Sequence, residues 1–218
     1  MTINQVKRKN LKVVKIKRST RYSDRIIITF ENKSVLRVPE SAFILHPIKI
    51  GDSISPTDIN KYDEKMRLQE ARDAAFRLLS YRMRSEGEIK KRLADKSFMS
   101  NEIDATVNNL KKLNYVNDLE FARAFAKEKV KLKNIGPLLL RSELFKHYIE
   151  TTLIDRIIQE TYDKHDIHTL IEKHLEKKSI NKGNLLENVI KKKLDNYLRR
   201  KGFSWGQINA VYADWGLI

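Results

Sequence analysis

Three stretches of this chain carry the same apolar spacing, and that recurrence restricts the fold more than any other feature. The stretches centre on Phe98, Ile149 and Phe203, which stand 51 and 54 residues apart. Nine residues before each centre lie Ile89, Leu140 and Leu194, and five before lie Leu93, Leu144 and Leu198. Five after lie Ile103, Ile154 and Ile208, and nine after lie Val107, Ile158 and Tyr212. All fifteen positions are apolar or aromatic in a chain that is 41% hydrophobic, so chance is a poor explanation. Residues four apart share one face of a helix. Each stretch therefore reads as two helices meeting across a turn, with the central residue tucked between them. These positions specify a fold unit rather than a site.

A third helix fits upstream of each pair, at Glu64–Met83, Asp118–Leu132 and His165–Lys178. Ser85 with Glu88, and Ser204 with Gln207, have the spacing of a capping box, and Pro137 suits a first helical turn. The expected fold is mainly α. Three tandem three-helix repeats, 57–116, 117–164 and 165–218, would stack as an elongated, curved, solenoid-like array. Residues 1–56 read as a small β-rich domain and linker. Leu11–Arg18 alternates, with Leu11 and Val13 on one face and Val14 and Ile16 towards the other. Arg25–Val38 reads as two strands around the turn Glu31–Ser34, ended by Pro39. His46–Asp58 reads as a connection with one short strand.

Charge supplies the functional signal. The 218 residues hold 44 Lys and Arg against 28 Asp and Glu, a net charge of +16, which points to a polyanionic partner. Eleven of the cations fall within residues 1–37. Further cations recur by repeat, with Arg77, Arg82, Arg84, Lys90 and Lys91 in the first, Lys127, Lys131, Lys133 and Arg141 in the second, and Lys191, Lys192, Arg199 and Arg200 in the third as the candidate contacts. A basic run is ordinarily a solvated helix face, but recurrence in every repeat predicts a continuous basic stripe. Such a stripe suits a long, repetitive anion better than a small ligand.

The sequence offers little for catalysis. With no cysteine, disulfides, thiol nucleophiles and cysteine zinc sites are excluded. Neither a Gly-x-x-x-x-Gly-Lys phosphate loop nor a Gly-x-Ser-x-Gly elbow occurs. His165, His168 and His174 read as surface histidines rather than metal ligands, and Trp205 and Trp215 as packing of the third repeat, with base stacking as the other use of an indole. No catalytic residue, metal or cofactor is expected. The first residues lack an apolar leader, and no run reaches the ~18 apolar residues of a membrane span. A cytoplasmic monomer without a membrane partner is expected.

Four stretches carry a resemblance to the RecX family of bacterial recombination regulators: "LSYRMRSEGEIKKRL" (79–93), "YVNDLEFARAF" (115–125), "IGPLLLRSEL" (135–144) and "RRKGFSWGQINAV" (199–211). The β-rich start resembles the extension of its Gram-positive members. There are departures: Met83 stands where the family often has proline, Ile135 where it often has an aromatic, and His147-Tyr148 where it has Lys-Gly, so the second turn lacks its left-handed glycine. The resemblance implies a protein without catalytic activity that binds the RecA–DNA filament and inhibits its ATPase, strand exchange and coprotease functions. Groove binding and blocking of filament extension are both associated with the family. The alternative is a plain DNA-binding module using helices that follow Ser85, Ser100 or Ser204. No Asn/Gln/Arg triplet at those helix starts suits base reading, so direct DNA contact would be independent of sequence.

Overall fold

In a computed structural model the structure describes residues 10–20 and 25–218. Much of the amino-terminal basic run and most of the expected link between the first two strands lie outside them. Four strands, β1 (Leu11–Arg18), β2 (Arg25–Phe30), β3 (Val35–Pro39) and β4 (Ser53–Ile54), form an antiparallel sheet in the order β3-β2-β1-β4. Val13 pairs with Phe30 but Lys15 with Thr29, so Val14 is an extra residue in β1. A bulge resets the period-two alternation. Ile16 therefore packs on the same core as Val13, not on the opposite face.

A short helix, α1 (Glu40–Leu45), follows Pro39 directly, where the sequence predicts only a strand end. The sheet core of Val13, Ile26, Ile28, Phe30, Leu36 and Val38 includes Met66 from the next helix, so it continues past residue 56. That helix, α2 (Pro56–Tyr81), begins eight residues before the expected Glu64. Ser55 caps it: its Oγ accepts the Asp58 N–H at 3.0 Å.

The remaining helices fall in threes with α2: α3 (Glu86–Ala94) and α4 (Ser100–Lys112); α5 (Asp118–Lys133), α6 (Pro137–Lys146) and α7 (Thr151–Tyr162); α8 (Ile167–Lys177), α9 (Asn188–Arg200) and α10 (Trp205–Asp214). The chain divides into two compact units. One holds the residues up to Arg77 with Leu93–Thr106, the other Leu78–Arg92 with Val107–Ile218. In the second unit α7 packs on α5 and α6, and α10 on α8 and α9. Of the fifteen repeat positions, all are buried except Phe98 and Ile158, which are half-buried. Ile157 takes the fully buried place beside Ile158.

The three turns share one hydrogen bond. Phe98, Ile149 and Phe203 each donate their N–H to the carbonyl five residues back, of Leu93, Leu144 and Leu198, at 3.3, 3.5 and 3.3 Å. The residue before each is left-handed: Ser97 at φ 63°, Tyr148 at φ 59° and Gly202 at φ 91°. This closure covers carbonyls that a helix end leaves orphaned. The absence of a glycine at the second turn does not alter its path, since Tyr148 adopts the left-handed conformation itself. Its hydroxyl accepts from Lys91 Nζ at 2.8 Å.

The same turns join successive repeats within the second unit. Ser85, which caps α3, donates its Oγ–H to the His147 carbonyl. One repeat later Gly136, which caps α6, donates its N–H to the Lys201 carbonyl at 2.8 Å, and Leu138 donates to Gly202 at 3.1 Å. In both seams a free helix start meets the carbonyls of the next repeat's left-handed turn. Approach is so close that side chains are excluded. A Cβ on Gly87 would lie 2.2 Å from Tyr148 Cβ, and one on Gly136 would lie 2.4 Å from the Gly202 oxygen.

His174 sits in the second seam and is buried, not on the surface as expected. Its Nε2 lies 2.8 Å from the Asn134 carbonyl, which can only accept, so Nε2 carries the proton. Nδ1 is then left to accept from the Tyr197 hydroxyl at 3.0 Å. Burial draws the imidazole below its ordinary pKa, and the Asn134 carbonyl opposes this only in part.

Two expectations follow. Gly202→Ala places a Cβ 2.3 Å from the Leu139 nitrogen at φ 91°, and should cost more than about 2 kcal/mol of urea stability. Gly206→Ala, whose Cβ meets nothing within 4 Å, should leave stability unchanged or raise it by about 0.5–1 kcal/mol. Equal effects would contradict the seam geometry. Stability tied to neutral His174 is fully present above the unfolded histidine pKa of ~6.5 and is lost as pH falls through the lowered folded value. The urea midpoint should therefore fall between pH 7.5 and 5.5, and fall less in His174→Gln; equal falls would contradict a seam held by neutral imidazole.

Candidate functional site

The cations singled out in the sequence fall into two groups once their neighbours are known. Those of the first repeat are largely tied down. Arg82 forms a two-pronged pair with Glu88 at 2.6 and 3.1 Å. Arg84, mostly buried, donates Nε–H to the Leu78 carbonyl at 3.1 Å and stands 4.0 Å from Glu88. Glu88 also receives the Ser85 N–H at 3.3 Å, completing the capping box, and faces His147 at 3.2 Å. Burial pushes its carboxyl up, but Arg82, the Ser85 N–H and His147 together outweigh that and hold it below the ordinary carboxylate range. Lys90 pairs with Glu86 at 2.9 Å, and Lys91 is held by Tyr148. Arg77 belongs to the other compact unit, where it lines a cleft of about 730 Å³ with Arg25, Glu70, Asp73 and Lys96.

In the second and third repeats the pairing is selective. Arg141 is paired with Asp155, and Lys191 with Asp195 at 3.4 Å. Lys129, between the singled-out α5 lysines, pairs with Glu143 at 2.6 Å. Arg123 and Arg156 clamp Glu160 at 2.9 and 2.8 Å and pull its carboxyl down to about 2. By contrast Lys127, Lys131 and Lys133 on α5 and Lys192, Arg199 and Arg200 on α9 are exposed and have no hydrogen bond or ion pair among the described residues. Lys131 and Lys133 end α5, and Arg199 and Arg200 end α9, where cations complement the helix dipole.

The two tryptophans separate. Trp215 is buried as expected, its Nε1–H donating to Glu172 at 2.8 Å. Trp205 is not packed: it is 51% exposed and lines a groove of about 680 Å³ with Leu138, Asn196, Arg199 and Arg200. Its place as the first residue of α10, directly after the capping Ser204, was the available signal, since a side chain there overhangs the helix start.

His168, Glu172 and Asp214 bring their ligand atoms within 4.8 Å of one another. His168 faces Glu172 through Nδ1 and Asp214 through Nε2, each at 3.6 Å. The two carboxylates face different nitrogens of the ring. Glu172 is further engaged by Trp215 and by Lys182 at 3.7 Å. The group fits an α8–α10 ion bridge better than a chelate. No helix among the described residues is long and apolar enough to cross a membrane.

Comparison with known proteins finds the first three-helix domain of RecX over residues 71–110. The regulatory protein RecX of Bacillus pumilus is 28% identical over 193 residues, 88% of this chain and 73% of the relative. That of Bacillus velezensis is 29% identical over 200 residues, 91% of this chain and 75% of the relative. A crystal structure of a regulatory protein RecX superposes with a TM-score of 0.64 at 21% identity, covering 93% of this chain and 99% of the other. RecX from Lactobacillus salivarius gives 0.58 at 23% identity over 70% and 98%. At those identities the two structures establish the fold.

Proposed function

Because the chain belongs to the RecX family, whose members are named as regulatory proteins, we propose that it restrains a RecA-type recombinase by binding the recombinase–DNA filament. In this role it inhibits filament ATPase, strand exchange and coprotease activity, and has no catalysis of its own. The observation that carries this reading is the match to proteins named regulatory protein RecX over about nine-tenths of the chain. The charge supports it: a net +16, with unpaired cations on α5 and α9 that suit a surface of phosphates and acidic side chains. It acts as a monomer, on one repetitive target. The same unpaired cations favour a second reading, a DNA-binding module indifferent to sequence.

The test is to add the protein to RecA filaments preformed on single-stranded DNA and to follow ATP hydrolysis. Turnover should fall to a small fraction of its starting rate, and the protein alone should release no phosphate. Unchanged turnover at saturating protein would contradict filament inhibition; binding to bare DNA without any effect on the filament would favour the second reading.

A further inference from the structure

Trp205 is an expensive residue to leave in water. An indole carries a large apolar area, and burying it is favourable, yet half of this one is open to solvent. Its ring is not free on both sides. Lys191 Nζ lies 4.8 Å from the centroid and covers one face. The next residue, Gly206, adds no side chain, and a Cβ there would meet no protein atom within 4 Å.

The groove beside the ring is lined from α9 by Asn196, Arg199 and Arg200. Those positions are three and four apart and share one helix face, with Lys192 a turn earlier. The two guanidiniums have no partner among the described residues, and neither the Trp205 indole N–H nor the Asn196 amide is engaged there. Leu138 of α6, 56% exposed, forms the opposite wall.

We propose that this groove binds single-stranded nucleic acid directly, one base stacking on Trp205 while its neighbouring phosphates pair with Arg199 and Arg200. A nucleotide supplies a flat ring and an anion in each unit, which is the combination the groove offers. In a duplex the base faces are already stacked on one another, so a single strand is the form with a ring to give. An acidic peptide would satisfy the arginines but leave the indole uncovered. The proposal rests on the second reading, direct DNA contact, and deepens it by naming the strand form and the residues that hold it; it needs no recombinase.

The chain has two tryptophans, and Trp215 is only 5% exposed, so a change in emission caused by a bound strand reports on Trp205. The full-length protein is titrated with a thymidine oligonucleotide of about 15 nucleotides, with an abasic strand of equal length, and with poly-glutamate. The thymidine strand should quench the emission and bind more tightly than the abasic strand, and poly-glutamate should leave the emission unchanged. Trp205→Ala should abolish the quenching and weaken binding about 10- to 100-fold with helical circular dichroism unchanged, while Trp205→Phe should keep most of the affinity. Equal binding of thymidine and abasic strands, equal affinity for wild type and Trp205→Ala, or equal quenching by poly-glutamate would overturn the proposal, the last pointing to an acidic protein. The strand comparison uses wild type alone, so it decides even if the alanine variant misfolds. With no recombinase present, failure here leaves filament inhibition standing.

Discussion

The contact on which the second unit depends is a helix start pressed against a left-handed turn. A helix begins with N–H groups that have no partner within it, and the turn between two helices ends with carbonyls in the same position. Stacking one repeat on the next lets these two deficits cancel. Ser85 reaches the His147 carbonyl through its side chain; Gly136 reaches the Lys201 carbonyl through its backbone. Both carbonyls stand two residues before the turn centre, so successive repeats use one rule with different chemistry. The rule explains where glycine is retained in a chain that has only seven: Gly87, Gly136 and Gly202 lie where no Cβ fits.

Acids at the first seam and within each repeat decide which charges are spent. Glu88 belongs to the α3 cap and draws in Arg82, Arg84 and His147. Glu86, Glu143, Asp155, Glu160 and Asp195 each hold a neighbouring cation. Exposed pairs of this kind add little to stability, but they remove a cation from the set available to a partner. What remains unpaired on α5 and α9 is a smaller basic surface than the sequence counts suggest, and the one proposed to meet the polyanion.

The repeat, its caps and its buried leucines were legible because period and capping are local. Leu93, Leu144 and Leu198 are each completely buried. The departures have physical causes that a linear reading does not carry. A single extra residue at Val14 inverts the strand faces after it. The start of α2 is marked by Ser55 and Asp58, a cap spacing masked by the nearby prolines. His174 follows Leu170 and Ile171 and precedes Leu175, so its place on an apolar face was visible; its two hydrogen-bond partners, 40 and 23 residues away, were not. The pairing of Arg141 with Asp155 and of Lys129 with Glu143 crosses between helices, and no helical spacing predicts it. The exposure of Trp205 was foreshadowed by its place directly after the capping Ser204, but the groove that Leu138, Arg199 and Arg200 form beside it appears only once α6 and α9 are in place.

Salt dependence of binding to recombinase–DNA filaments separates the spent cations from the unspent ones most directly. Where a cation neutralises a phosphate, its removal lowers the slope of log affinity against log salt by somewhat less than one. Lys131→Ala/Lys133→Ala and Arg199→Ala/Arg200→Ala should each weaken binding and flatten that slope by about 1.5, while Arg141→Ala, which removes a cation already paired with Asp155, should leave the slope as in wild type. One common slope for all four proteins would contradict a polyanion-facing surface and return these residues to the role of solvated helix ends.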